Sequence, residues 1–201
     1  MFLSLFATVA WAEPVTIAAL GDSLTAGYGL AQDEGFVPQM QAWLDAQGAE
    51  VTLLNAGVSG DTTAGGLSRV DWTLTPEVDG VIVALGGNDY LRGLDPAVSR
   101  DNLDKILAKS QSLGVSAMLI GLQAGTNYGA DYAEAFNGMY AALAATYDVP
   151  LAPDWFSALR GADRPKYFQA DGVHPNADGV TLIVAALGPA VLDFAGSLSG
   201  D

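Results

Sequence analysis

The chain has 201 residues, half of them hydrophobic, a formal net charge of −15 and no cysteine. That length and apolar content suit one domain with a substantial core and argue against intrinsic disorder. The charge repels phosphate backbones and anionic headgroups, which argues against nucleic acid as a partner. The missing cysteines remove disulfides, zinc–thiolate centres and thiol nucleophiles.

Residues 1–12, MFLSLFATVAWA, are almost wholly apolar and end in Ala10-Trp11-Ala12 ahead of Glu13. Small residues at Ala10 and Ala12 fit a secretory cleavage site, although no Lys or Arg precedes the run. The expectation is an export signal over residues 1–12 and a single domain over residues 13–201, in the periplasm or secreted. A buried N-terminal strand or helix is the alternative. The run is too short to span a bilayer as a helix, so no stable membrane anchor is expected.

Apolar runs suited to buried strands follow at Val15–Leu20, Val51–Asn55, Gly80–Leu85 and Ala117–Gly121. Helical spacing lies between them. Phe36, Val37, Met40, Trp43 and Leu44 share one face, as do Leu103, Ile106 and Leu107 within Asp95–Leu113. Tyr132, Phe136, Met139, Tyr140 and Leu143 mark a third helix. A last helix follows Pro175 with Leu182, Ile183, Ala186 and Leu187, and Gly188-Pro189 is expected to kink or end its first part. Such alternation implies a parallel sheet covered on both faces, with the working site beyond the carboxyl ends of its strands.

The residue types that carry chemistry follow the strand runs. Ser23 in ALGDSLTAGYG comes after the first, Gly60 in NAGVSGDT after the second, and Asn88 in GGND after the third. His174, in ADGVHPN, is the only histidine, with Asp171 three residues earlier. A serine hydroxyl is a poor nucleophile until a base takes its proton, and the base works best when a third group fixes its tautomer. Ser23, His174 and Asp171 fit those roles. The N–H groups of Ser23 and Gly60 and the Asn88 amide are suitable donors for an oxyanion. Each residue also has a plain reading: a strand-exit turn, a helix-start histidine, a turn glycine, a helix cap. Asp22, Asp89, Asp171 and His174 could supply oxygen and nitrogen ligands, but a single histidine and no calcium-loop series of carboxylates argue against a metal, and none is expected.

Together these four blocks resemble the GDSL, or SGNH, hydrolase family, over the chain from about Val15 to the C-terminal helix. Within it, the stretches NAGVSGDTTAGGLSRV, ALGGNDYLRG, NYGADYAEAFNGMY and YDVPLAPD look most like the bacterial arylesterase, lysophospholipase L1 and acyl-CoA thioesterase I group. The resemblance implies a flavodoxin-like three-layer α/β/α sandwich with strand order 2-1-3-4-5. It implies Ser23 as nucleophile, His174 as base, Asp171 as its partner, and an oxyanion hole from Ser23, Gly60 and Asn88. Carboxylic esters are then the expected small-molecule substrates, whether aryl, short or medium acyl, or lysophospholipid, with thioesters as a side activity. No cofactor and a monomer are expected. Tyr90–Leu94 and Gln123–Gly129 are expected as movable walls, with Tyr128 along the substrate. A carbohydrate O-deacetylase and a non-catalytic binding module are the rival readings.

Overall fold

The computed structural model describes residues 14–199, so the export-signal reading of residues 1–12 lies outside the described residues. In chain order the elements are β1 (Val15–Gly21), α1 (Ser23–Ala26), α2 (Phe36–Ala46), β2 (Val51–Gly57), α3 (Thr63–Ser68), α4 (Val70–Thr73) and β3 (Gly80–Ala84). There follow α5 (Gly87–Leu91), α6 (Pro96–Leu113), β4 (Ser116–Ile120), α7 (Ala130–Tyr147), β5 (Leu151–Ala152), α8 (Arg164–Tyr167) and α9 (Ala177–Leu198). The five strands form one parallel sheet in the order β2-β1-β3-β4-β5. All four apolar runs are strands. The fifth strand had no apolar run to announce it, because it is two residues long and follows Pro150.

Every residue of β3 is buried, as a central strand covered on both faces must be. One helical layer pairs α2 with α9, and the other packs α3 and α7 against α6, which gives the three-layer α/β/α arrangement. The helical stripes face the sheet: Phe36, Val37, Met40 and Leu44 of α2 are buried, as are Leu103, Ile106 and Leu107 of α6. Local chemistry sets the ends. Asp95 caps α6 through its side chain, Pro96 occupies its first turn, and Gly114 closes it in a left-handed conformation.

The terminal helix departs from expectation, since α9 runs through Pro189 to Leu198. The ring removes one i→i−4 bond, but Pro189 is on the exposed side. The buried stripe of Leu187, Val191, Phe194 and Ala195 continues past it and holds the helix on the core. By length and hydropathy α9 could cross a membrane, yet half of that apolar window is buried within the fold.

The chain reverses direction of winding between β1 and β3, and at this switch point an open α/β sheet forms its crevice. The carboxyl ends of β1, β2 and β3 lead into the segments carrying Ser23, Gly60 and Asn88.

Candidate active site

Ser23 is the first residue of α1, separated from β1 by Asp22 alone, and Asp22 caps that helix by accepting from the Leu24 N–H at 3.0 Å. Gly21 ends β1 without a left-handed φ, so it is not needed for a sharp exit. Its requirement is space: a Cβ there would sit 1.9 Å from Thr25 Oγ1. Gly60 is the reverse case. Its φ is +86°, which disfavours any other residue, while a Cβ would meet nothing closer than Arg92 Nη2 at 3.7 Å. Arg92 donates to the Gly60 carbonyl at 2.7 Å and fixes that peptide.

The structure brings the three dispersed residues together. His174 Nε2 lies 2.8 Å from Ser23 Oγ, and His174 Nδ1 lies 2.6 Å from Asp171 Oδ2. The other Asp171 oxygen accepts from the backbone N–H groups of Val173 and His174 at 2.9 and 3.0 Å. The histidine bond first, and then these two, hold the Asp171 carboxyl down at about 2, so it is ionised throughout the neutral range. Tyr28 packs its ring 4.7 Å from the imidazole.

The opposite side is more deeply built. Asn88 Nδ2 donates to Asp61 O at 2.9 Å and to Asp22 Oδ2 at 3.2 Å. Asp22 is 2% exposed, and burial pushes its carboxyl up to about 6 against the lowering effect of its bonds to Leu24 and Asn88. Arg69 spans the base of the site, donating to Asp61 Oδ2 at 2.7 Å, Ala56 O at 2.7 Å and Gly21 O at 2.8 Å. Among the described residues, the N–H groups of Ser23 and Gly60 have no protein acceptor.

Ser23, Gly60, Asn88 and His174 line one cavity of about 660 Å³. Leu122, Phe156, Leu159 and Phe168 give it an apolar wall. Arg160 and Arg164 stand on the same wall, Arg160 paired with Asp154 at 2.7 Å and Arg164 bonded to the Gly172 carbonyl over the Phe168 ring.

One expectation changes here. Tyr128 is outside the cavity lining: it donates to Leu91 O at 3.4 Å and packs edge-on against Tyr90, so Tyr90 and Leu91 face the cavity in its place. Of the possible oxygen and nitrogen ligands Asp22, Asp89, Asp171 and His174, one is committed away from the triad. Asp89 is buried elsewhere, accepting from Thr63 N at 2.8 Å, Thr63 Oγ1 at 2.6 Å and Ser99 Oγ at 2.8 Å. Among the described residues no three His, Asp or Glu side chains gather around a common point. The sequence reading missed Asp61, Arg69 and the wall from Phe156 to Phe168. Only the Asp-to-Arg spacing of eight in DTTAGGLSR hinted at the first pair.

A hydroxyl, an imidazole and a carboxylate in series, set beside unpaired N–H donors at the carboxyl edge of a parallel sheet, define a serine-hydrolase class of site. The comparisons with known proteins agree. A model of the GDSL-like lipase/acylhydrolase family matches residues 19–182. The chain belongs to that family and is an ester hydrolase. It is 39% identical over 161 residues to the esterase TesA of Pseudomonas aeruginosa, covering 80% of this chain and 79% of that protein. It is 35% identical over 169 residues to the thioesterase 1/protease 1/lysophospholipase L1 of Escherichia coli K12, covering 84% and 79%. The psychrotrophic esterase EstA of a Pseudoalteromonas species, in a structure inhibited by monoethylphosphonate, superimposes with a TM-score of 0.83 at 31% identity. That match covers 90% of this chain and 98% of EstA.

Proposed function

We propose that Ser23 is the nucleophile of this esterase, His174 its general base and acid, and Asp171 the group that orients the imidazole. The reading rests on one observation above the others: the unbroken series Ser23 Oγ, His174 Nε2, His174 Nδ1, Asp171 Oδ2 at 2.8 and 2.6 Å. His174 Nε2 takes the hydroxyl proton as Oγ bonds to the ester carbonyl carbon, and the carbonyl electron pair moves to oxygen. The oxyanion is held by the N–H groups of Ser23 and Gly60 and by the Asn88 amide. Collapse of the intermediate breaks the bond to the leaving oxygen or sulfur, which receives the proton from the imidazolium. A water molecule then repeats the sequence on the acyl-enzyme, releasing the acid and restoring Ser23. Asp171 keeps its charge opposite the imidazolium throughout and fixes the tautomer with Nε2 toward Ser23.

The apolar wall formed by Leu122, Phe156, Leu159 and Phe168 favours acyl chains and aryl groups over sugars. Aryl esters, short and medium acyl esters and lysophospholipids are the proposed substrates, with thioesters a side activity. The printed names of the relatives, esterase and thioesterase/lysophospholipase among them, support that range. The Ala10-Trp11-Ala12 pattern supports export of the enzyme.

A fluorophosphonate probe should label the wild type and leave Ser23→Ala unlabelled. Turnover of an aryl ester should fall by at least about 10⁴-fold in that variant, the scale of nucleophile loss in serine hydrolases. Labelling of Ser23→Ala would overturn the assignment.

A further inference from the structure

The Asn88 amide nitrogen donates to two protein acceptors, Asp61 O at 2.9 Å and Asp22 Oδ2 at 3.2 Å, and the hydrogen of the longer bond to Asp22 is the one that can turn to an oxyanion as it develops. A carbonyl and a carboxylate can only accept, so these two partners dictate which end of the amide points where. Rotated by half a turn, Asn88 would set its own oxygen against two acceptors. The oxygen would then stand where the nitrogen now does, beside the cavity it shares with Ser23. An oxygen at that position repels an oxyanion.

Asp22 is the member of this pair that a side-chain change can remove. It is buried, and its two oxygens have separate duties: Oδ1 accepts from the Leu24 N–H that starts the serine-bearing helix, and Oδ2 accepts from Asn88. A carboxylate can meet both demands at once. An amide has one accepting oxygen, so asparagine at this position must abandon one of them. The cap demand alone would be met by serine, threonine or asparagine, all good helix starts. The second carboxylate oxygen therefore serves Asn88 rather than the cap.

We propose that Asp22 is a positioning residue of the oxyanion hole, whose carboxylate keeps the Asn88 amide turned with its nitrogen toward the developing oxyanion. This inference rests on the assignment of Asn88 to that hole. Asp22 acts on the reacting oxygen only through Asn88, while the N–H groups of Ser23 and Gly60 supply the other donors independently.

The test is a double-mutant cycle on a soluble aryl ester, with Asp22→Ser, Asp22→Asn, Asn88→Ala and the two combinations. Asp22→Ser retains a capping oxygen but is too short to hold Asn88, so thermal melts separate a folding defect from a catalytic one. Asn88→Ala should lower kcat about 100- to 1,000-fold, the usual cost of one side-chain oxyanion donor. Either Asp22 variant should lower kcat about 10- to 100-fold, with KM within about threefold, because part of that same donor is lost. In the Asn88→Ala background the Asp22 substitutions should change kcat by less than about threefold, the signature of residues that act as one unit. If Asn88→Ala alone leaves kcat unchanged, the oxyanion-hole assignment is wrong. If Asn88→Ala is impaired and Asp22→Ser costs the same in both backgrounds, Asp22 does not work through Asn88 and the inference fails. An unchanged or increased kcat in Asp22→Ser on the wild-type background would also overturn it, the increase by making Asp22 a competitor for the amide.

Discussion

The two halves of the site are built by different means. Asp171 and His174 lie on one short loop, and the bonds that shape it are local: the carboxylate accepts from residues two and three positions along. Asp171 has a side-chain exposure of 40%, and His174 reaches across the site to Ser23 at 2.8 Å and to the Tyr28 ring. The other half is tied over long range. Asn88 reaches back to Asp22 and Asp61, and Arg69 clamps Asp61 to the ends of β1 and β2. An exposed, locally bonded loop can be altered with little consequence for folding, whereas a buried network carries both geometry and stability. Catalytic loss and structural loss should therefore separate in the first half and coincide in the second.

The largest separation is expected at Asp171. Asp171→Asn retains the side-chain oxygen that accepts from Val173 and His174, but presents the imidazole with a neutral partner and the wrong tautomer. Its kcat should fall by about 10³- to 10⁴-fold, while the melting temperature stays within about 2 °C because an exposed polar change is worth little in stability. A melting temperature that dropped together with kcat would erase the contrast between the halves.

At Arg69 the two losses should coincide. Arg69→Met keeps the apolar stem and removes the donors, leaving the carbonyls of Gly21 and Ala56 without that partner and Asp61 without its ion pair. With about 1–3 kcal/mol for each unsatisfied buried group, and some solvent access at a side chain 20% exposed, a destabilisation of about 2–4 kcal/mol is expected from chemical denaturation. Turnover should also fall, about 10-fold, because the Asp61 carbonyl that holds Asn88 is no longer anchored. Full stability in this variant would place the strength of the strand-end half elsewhere.

What could be read from the sequence follows the same division. The four long strands were legible because a covered parallel strand must be a continuous apolar run, and β5 was not, because two residues carry no periodicity. The proposed triad could be named from the sequence because the chain has one histidine and Asp171 stands three residues before it. Asn88 and Gly60 stood out by following successive strands. The residues that fix them did not. Arg69 reads as a surface arginine until the fold carries it across two strand ends, and Asp22 reads as a cap until Asn88, 66 positions later, is placed beside it. Tyr128 stands outside the cavity for a related reason: Tyr90 and Leu91, at the end of α5, occupy the cavity side first. Local chemistry is visible in a sequence, and long-range hydrogen bonding is not.

The smallest effect tests the buried half through pH. Burial is the main cause that lifts the Asp22 carboxyl from 3.8 to about 6; the charge of Asp61 adds to the rise, and His174 and the bonds from Leu24 and Asn88 oppose it. A carboxyl with a raised pKa in the fold binds its proton more tightly there than in the unfolded chain. The resulting stabilisation is complete below about pH 4 and is lost as pH climbs through about 6, so the wild type weakens over that window. A shift of about two pKa units corresponds to on the order of 2–3 kcal/mol. Asp22→Asn cannot titrate. Its stability relative to the wild type should therefore rise between pH 4 and pH 7 and level off above, while groups common to both proteins cancel in the difference. A flat difference across that range would mean that Asp22 is hydrated in the folded protein, and the contrast between a buried half and an exposed half would lose its electrostatic basis.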